Sequence, residues 1–69
     1  MTVEFRIETE QEEDGRWIAE VLEISGTLAY GSTPDEAIKN VQALALRLLA
    51  DRLDHGEGDQ LFNVTFRAA

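Results

Sequence analysis

The stretch Tyr30-Gly31-Ser32-Thr33-Pro34-Asp35-Glu36-Ala37-Ile38 is where the chain changes its periodicity, and its reading decides the fold. Thr33-Pro34-Asp35-Glu36 is a capping box with proline at the first helical position. The Thr33 hydroxyl can accept the Glu36 N–H, and the Glu36 carboxylate can reach back to the Thr33 N–H. Asp35 adds negative charge at the positive end of the helix dipole. Before this box apolar residues recur every second position; after it they recur every third or fourth.

Downstream, the spacing predicts a helix from about Pro34 to about Asp54, with Gly56 and Gly58 as stop signals. At 100° per residue, Leu44, Ala37, Leu48, Val41, Ala45, Ile38, Leu49, Leu53 and Leu46 form a continuous arc of about 200°, about twice what one sheet needs. Part of that arc must face something else: the returning last strand, a second copy of the chain, or a different protein. Leu46, Leu49 and Leu53 are the candidates for self-association, with Leu46 and Leu53 at the margin of the arc. The tail, Leu61-Phe62-Asn63-Val64-Thr65-Phe66, returns to strand alternation and puts Phe62, Val64 and Phe66 on one side.

Upstream, Val3, Phe5 and Ile7 alternate with charges in a first strand, Val3 to Glu8. Asp14-Gly15 supplies the positive φ of a hairpin turn, and a second strand, Trp17 to Glu23, follows at once. Two registers are open. A two-residue turn puts Ile7 opposite Leu22; a three-residue loop closing on Gly15 pairs Glu12 with Arg16 and puts Ile7 opposite Val21. The second is preferred, because it collects Trp17, Ala19 and Val21 with Val3, Phe5 and Ile7 on one covered face. The opposite face then shows Ile18, Glu20 and Leu22 beside Arg6 and Glu8, more apolar than a solvated face needs. Ser25-Gly26 makes a turn, and Thr27-Leu28-Ala29-Tyr30 is a short third strand ending at Gly31. The expected fold is one small α+β domain over residues 1–69, ordered β-β-β-α-β. It comprises a three-stranded antiparallel meander and a C-terminal strand, with one long helix packed on one sheet face.

Composition narrows the function. The 69 residues carry 14 acids against 6 bases, a net charge of −8, no cysteine and a single histidine, His55. A chain this short has a thin core, which favours an oligomeric or partner-bound state. Disulfides, thiolate zinc sites and cysteine nucleophiles are excluded. The bases are scattered and outnumbered, so direct contact with nucleic acid is disfavoured, and a basic protein partner is favoured. No apolar run approaches the roughly 20 residues of a membrane span, and no signal peptide is read, so the expected location is the cytoplasm. Residues 1 to 24 hold eight of the fourteen acids, Glu4, Glu8, Glu10, Glu12, Glu13, Asp14, Glu20 and Glu23, against Arg6 and Arg16 alone.

Residues that could carry chemistry do not assemble into a reactive set. The run Glu10, Glu12, Glu13, Asp14 lacks the ligand spacing of a calcium loop, and His55-Gly56-Glu57-Gly58-Asp59 lies on a glycine-rich connection that would not hold a catalytic pair. His55 is better read as a helix-terminal residue at the negative end of the dipole. There is no Gly-x-Ser-x-Gly elbow, and Gly15, Gly26 and Gly31 sit at separate turns rather than in one phosphate-binding loop. The expectation is a protein that is not an enzyme and carries no cofactor and no metal.

Three stretches taken in order, Asp14-Gly15-Arg16-Trp17-Ile18-Ala19-Glu20-Val21, Ile24-Ser25-Gly26 and Tyr30-Gly31-Ser32-Thr33-Pro34-Asp35-Glu36-Ala37-Ile38, resemble the N-terminal domain of the HicB family of antitoxins. The structural positions of that pattern are Asp14, Gly15, Gly26, Gly31, Thr33, Pro34 and Glu36. The resemblance covers about residues 1 to 54. Thr27 stands where the family often has cysteine. The family's C-terminal DNA-binding domain has no counterpart in these 69 residues. It implies a partial ribonuclease-H-like fold and an antitoxin that binds and masks a small basic mRNA-cleaving toxin of the HicA type. The acids do not converge on neighbouring strands as a nuclease would require, and fold alone is not function. Ile18 and Leu22 as apolar anchors, with Glu20 and Glu23 as charged rim, are the candidate partner-binding residues; these come from the strand alternation. The alternative is a protein-interaction or oligomerisation module of the same fold whose partner is not a toxin. A homodimer or higher homo-oligomer is also expected, through the helix, through an edge strand such as the last one, or through both.

Overall fold

The computed structural model describes residues 2–56, 60 and 63–68. Its elements run β1 (Thr2–Gln11), β2 (Trp17–Val21), β3 (Leu28–Gly31), α1 (Pro34–Asp54) and β4 (Asn63–Ala68). They build a four-stranded sheet in the order β3-β2-β1-β4, in which β4 alone runs parallel to its neighbour. The β-β-β-α-β layout expected from the sequence is the one observed. Since β3 and β4 lie at opposite edges, α1 and the connection after it together span the sheet.

The hairpin adopts the three-residue loop. Glu12 N–H donates to the Arg16 carbonyl at 2.7 Å and Gly15 N–H to the Glu12 carbonyl at 3.0 Å, with Gly15 at φ +91°. Ile7 therefore pairs with Val21, Thr9 with Ala19 and Gln11 with Trp17. Both strand ends differ from the periodicity: β1 continues to Gln11 because the loop is short, and β2 stops at Val21 rather than Glu23. From there the backbone folds into two successive turns, Ile24 N–H to Val21 O and Thr27 N–H to Ile24 O, with Gly26 at φ +79°. β3 accordingly starts at Leu28, one residue later than its alternation suggests. β4 covers Asn63–Ala68 and so continues two residues past Phe66, while Leu61 and the expected inward placement of Phe62 lie outside the described residues.

Helix α1 begins and ends where the sequence signals place it. Thr33 is the N-cap, extended at φ −134°, and its Oγ accepts the Glu36 N–H at 3.1 Å; the reverse bond from the Glu36 side chain is not formed among the described residues. His55 closes the C-terminus, with its backbone N–H and its ring Nδ1 both directed at the Asp51 carbonyl. Ala37, Val41, Ala45 and Leu49, spaced four apart, form the buried line of the helix and meet Phe5, Ile7, Ala19, Val21 and Ile24. Leu49 thus belongs to the core, which corrects its assignment to self-association; Leu46 and Leu53 stay 48% and 44% exposed.

Small side chains let the helix lie close. An added Cβ on Gly31 would sit 2.5 Å from the Ala37 backbone nitrogen and 2.9 Å from the Glu36 carbonyl carbon, closer than any real contact. The obstruction is backbone and cannot rotate away. Gly31→Ala is therefore expected to cost about 1–3 kcal/mol by overpacking, measured as a lower urea midpoint. Gly26→Ala meets no atom and should cost about 1–2 kcal/mol through its left-handed φ alone. Equal stability of Gly31→Ala and the wild type would contradict the close approach.

Candidate protein-binding face

The register of β1 on β2 sends Arg6, Glu8, Glu10 and Glu12 to the face away from α1, opposite Leu22, Glu20, Ile18 and Arg16 in turn. The β2–β3 register adds Tyr30 beside Ile18 and Leu28 beside Glu20. Four apolar side chains, Ile18, Leu22, Leu28 and Tyr30, consequently share this outer face; all but the half-buried Ile18 are exposed. Sequence alternation found Ile18 and Leu22. It missed Leu28 and Tyr30, whose facing depends on how the turn after β2 sets the register of β3.

Charge divides this face in two. Beside β4, Arg67 approaches Glu4 at 3.3 Å, and Arg6 Nε donates to Glu23 at 2.7 Å, so each cation meets a carboxylate. At the hairpin tip Asp14 accepts both the backbone N–H and Nε–H of Arg16, whose guanidinium lies 4.4 Å from the centre of the Tyr30 ring. Glu8, Glu10, Glu12 and Glu20 make no ion pair among the described residues, and Glu8 stands directly opposite Glu20. Like charges facing across a strand pair are destabilising. Glu8, Glu10, Glu12 and Glu20, with Thr9, Ile18 and Leu28, line one shallow depression of about 180 Å³.

Of the candidate partner-binding residues, Ile18, Glu20 and Leu22 are brought together here, but Glu23 is engaged elsewhere. β2 ends at Val21, so the Arg6 N–H at the end of the ladder meets the Glu23 carboxylate, at 2.8 Å, instead of a backbone carbonyl. The hydrogen bond from the Arg6 side chain, followed by that from its backbone, holds the Glu23 carboxyl below the usual glutamate range. The Arg16 backbone N–H does the same, foremost, for Asp14. A depressed carboxyl pKa contributes stability above the unfolded value, near 4.5 for glutamate, and loses it as pH falls through the folded value. Both groups are exposed, which keeps the contribution small.

Among the described residues no three His, Asp or Glu side chains group as a metal site, and no helix is long and apolar enough to cross a membrane. His55 sits at the helix terminus as expected, 3.4 Å from the Asp51 carboxylate; Glu57 and Asp59 lie outside the described residues. No family model matches the chain, and no curated protein and no solved structure matches it. The defined class is thus architectural: a small α+β domain with one helix on a four-stranded mixed sheet.

The stability difference between wild type and Glu23→Gln should be present at pH 7, shrink as pH falls below the unfolded value of about 4.5, and close once pH has passed the lower value that Glu23 has in the folded chain. Urea unfolding of both proteins between pH 7 and 3 checks this. A gap that widens at low pH would reverse the assignment.

Proposed function

We propose that this chain is an inhibitory binding protein, a HicB-like antitoxin that covers the catalytic surface of a small basic RNA-cleaving toxin in the cytoplasm. One observation carries the reading: the outer face of the sheet sets Ile18, Leu22, Leu28 and Tyr30 beside the carboxylates Glu8, Glu10 and Glu20, which make no ion pair among the described residues. An enzyme that grips RNA phosphates needs cationic groups on its active surface. Unpaired carboxylates on a fixed sheet can take the place of phosphate there, while an apolar centre excludes water. The opposed Glu8 and Glu20 lower the stability of the free domain, and an arriving guanidinium or ammonium between them would remove that cost. This is a reason for a domain to retain an unfavourable pair. The residues resembling the HicB pattern, Asp14-Gly15 and Thr33-Pro34-Asp35-Glu36, occupy the turn and the helix cap, so they shape the scaffold and leave recognition to the face.

A short gene for a small basic protein is expected beside this one, and the direct experiment is co-expression with that protein, followed by co-purification and an RNA-cleavage assay. A stable complex in which cleavage is blocked and growth rescued is expected. A complex whose partner cleaves no RNA would replace this reading with a non-toxin interaction module, and the absence of a complex would end it. In the complex, Ile18→Asp and Leu22→Asp should each abolish binding while the helical circular dichroism is kept. Glu20→Gln should do two opposite things. It relieves the like-charge pair and stabilises the free protein by about 0.2–1 kcal/mol, and it slows association and flattens its salt dependence. Destabilisation together with unchanged association kinetics would mean that Glu20 has only a scaffold role.

A further inference from the structure

We propose that the outer edge of β4 pairs antiparallel with β4 of a second copy, joining two sheets into one of eight strands, with Leu46 and Leu53 of each helix over the seam. The inference is independent of the antitoxin reading, which uses the other face of the sheet. It starts from an asymmetry in how α1 covers the sheet. The Asn40 side-chain amide donates to the Tyr30 carbonyl at 2.9 Å, so the Asn40 flank of the helix looks over β3. By helical geometry Leu46 and Leu53 stand roughly 120° and 140° from Asn40, across the buried line, and overhang the β1 and β4 side. The helix packs on β3 and β2, less on β1 and barely on β4. Val3, Val64 and Phe66 are correspondingly only half-buried, although Phe66 stacks on Phe5 with ring centroids 5.7 Å apart. Among the described residues, the inner face of β4 and the exposed flank of α1 are therefore both apolar and little packed against each other.

The two sheet edges differ as well. β3 has four residues. Val21 N–H donates to Thr27 O, so the alternation of the ladder turns the Tyr30 carbonyl outward, where Asn40 takes it. That edge is short and blocked. β4 has six residues, no proline and no acid, and its only charged side chain, Arg67, is turned to Glu4. Charge selects the occupant. Two chains of net charge −8 repel over most of their surfaces, yet residues 60 to 69 contain no Asp or Glu and one Arg, Arg67. A second copy can approach here without opposing acids.

Antiparallel pairing centred on Thr65 is self-complementary. It sets Val64 against Phe66 of the second copy on the inner face and Asn63 against Arg67 on the outer face, each twice about the two-fold axis. No like charges meet. The pairs on the inner face lie on the side of the sheet that carries α1, toward which Leu46 and Leu53 turn, so strand pairing and helix overhang would bury apolar surface together.

Sedimentation equilibrium of the full chain at tens of micromolar should show a dimer. Thr65→Glu places two carboxylates face to face on the axis and should give a monomer with unchanged helical circular dichroism, whereas Thr65→Val should remain dimeric. Leu46→Glu and Leu53→Glu should each weaken the dimer. Amide exchange of the unmodified protein gives a second reading that depends on no variant: protection of β4 should rise with protein concentration. A monomeric wild type, a folded Thr65→Glu that still dimerises, or β4 protection independent of concentration would overturn the proposal. So would loss of a basic partner from Thr65→Glu with self-association intact, since β4 would then belong to that partner.

Discussion

The pairing of Ile7 with Val21 is the constraint on which both faces of the sheet depend. Side chains alternate along a strand, so a shift of one residue would turn Trp17, Ala19 and Val21 outward and bring Ile18, Glu20 and Leu22 against the helix. Burying Glu20 without a partner would be prohibitive, and losing Ala19 and Val21 from beneath α1 would empty the core. The same pairing that closes the core therefore builds the outer face. Gly15 secures it locally, because the three-residue loop needs a positive φ at that residue.

A second constraint concerns how near the helix can come. Gly31 and Ala37 remove side chains where α1 starts, so its first turns rest on β3 almost backbone to backbone. Asn40 then fastens that flank to the Tyr30 carbonyl. A helix held this tightly at one edge cannot also sit centrally over four strands. The 21 residues of α1 must still run toward β4, and the half-covered inner face of β4 and of the Val3 end of β1 follows from the close contact at β3. The exposure of Leu46 and Leu53 is the helical side of the same geometry.

The parts legible in the sequence were those with a local physical cause. Asp14-Gly15 and the count of apolar residues per face selected the hairpin register, and Thr33-Pro34 located the helix start to the residue. The outer face was half legible: Ile18 and Leu22 follow from alternation within β2, whereas Leu28 and Tyr30 reach it through the double turn at residues 22 to 27, whose bonds link residues that no periodicity relates. Glu23 was placed on the rim because β2 was read two residues too long; the bond to Arg6 that fixes it is tertiary. Helical spacing ordered Leu46, Leu49 and Leu53 around the axis, but the depth of Leu49 depends on how the sheet lies beneath it.

The charge of the chain has a different meaning on each side of the sheet. Beside β4, Glu4, Arg6, Glu23 and Arg67 pair off and present a nearly neutral surface. Toward β3 the carboxylates Glu8, Glu10, Glu12 and Glu20 make no ion pair among the described residues. A cation set between Glu8 and Glu20 would relieve the repulsion of that pair in the free domain. Arg6 and Arg67 instead pair with acids near β4, and two separate consequences arise. The neutral side can meet another copy of an acidic chain, and the uncompensated side attracts only molecules of opposite charge. The two proposed contacts, with a second copy and with a basic protein, thus fall on different surfaces of one core, and neither would disturb Ile7, Val21 or the helix above them.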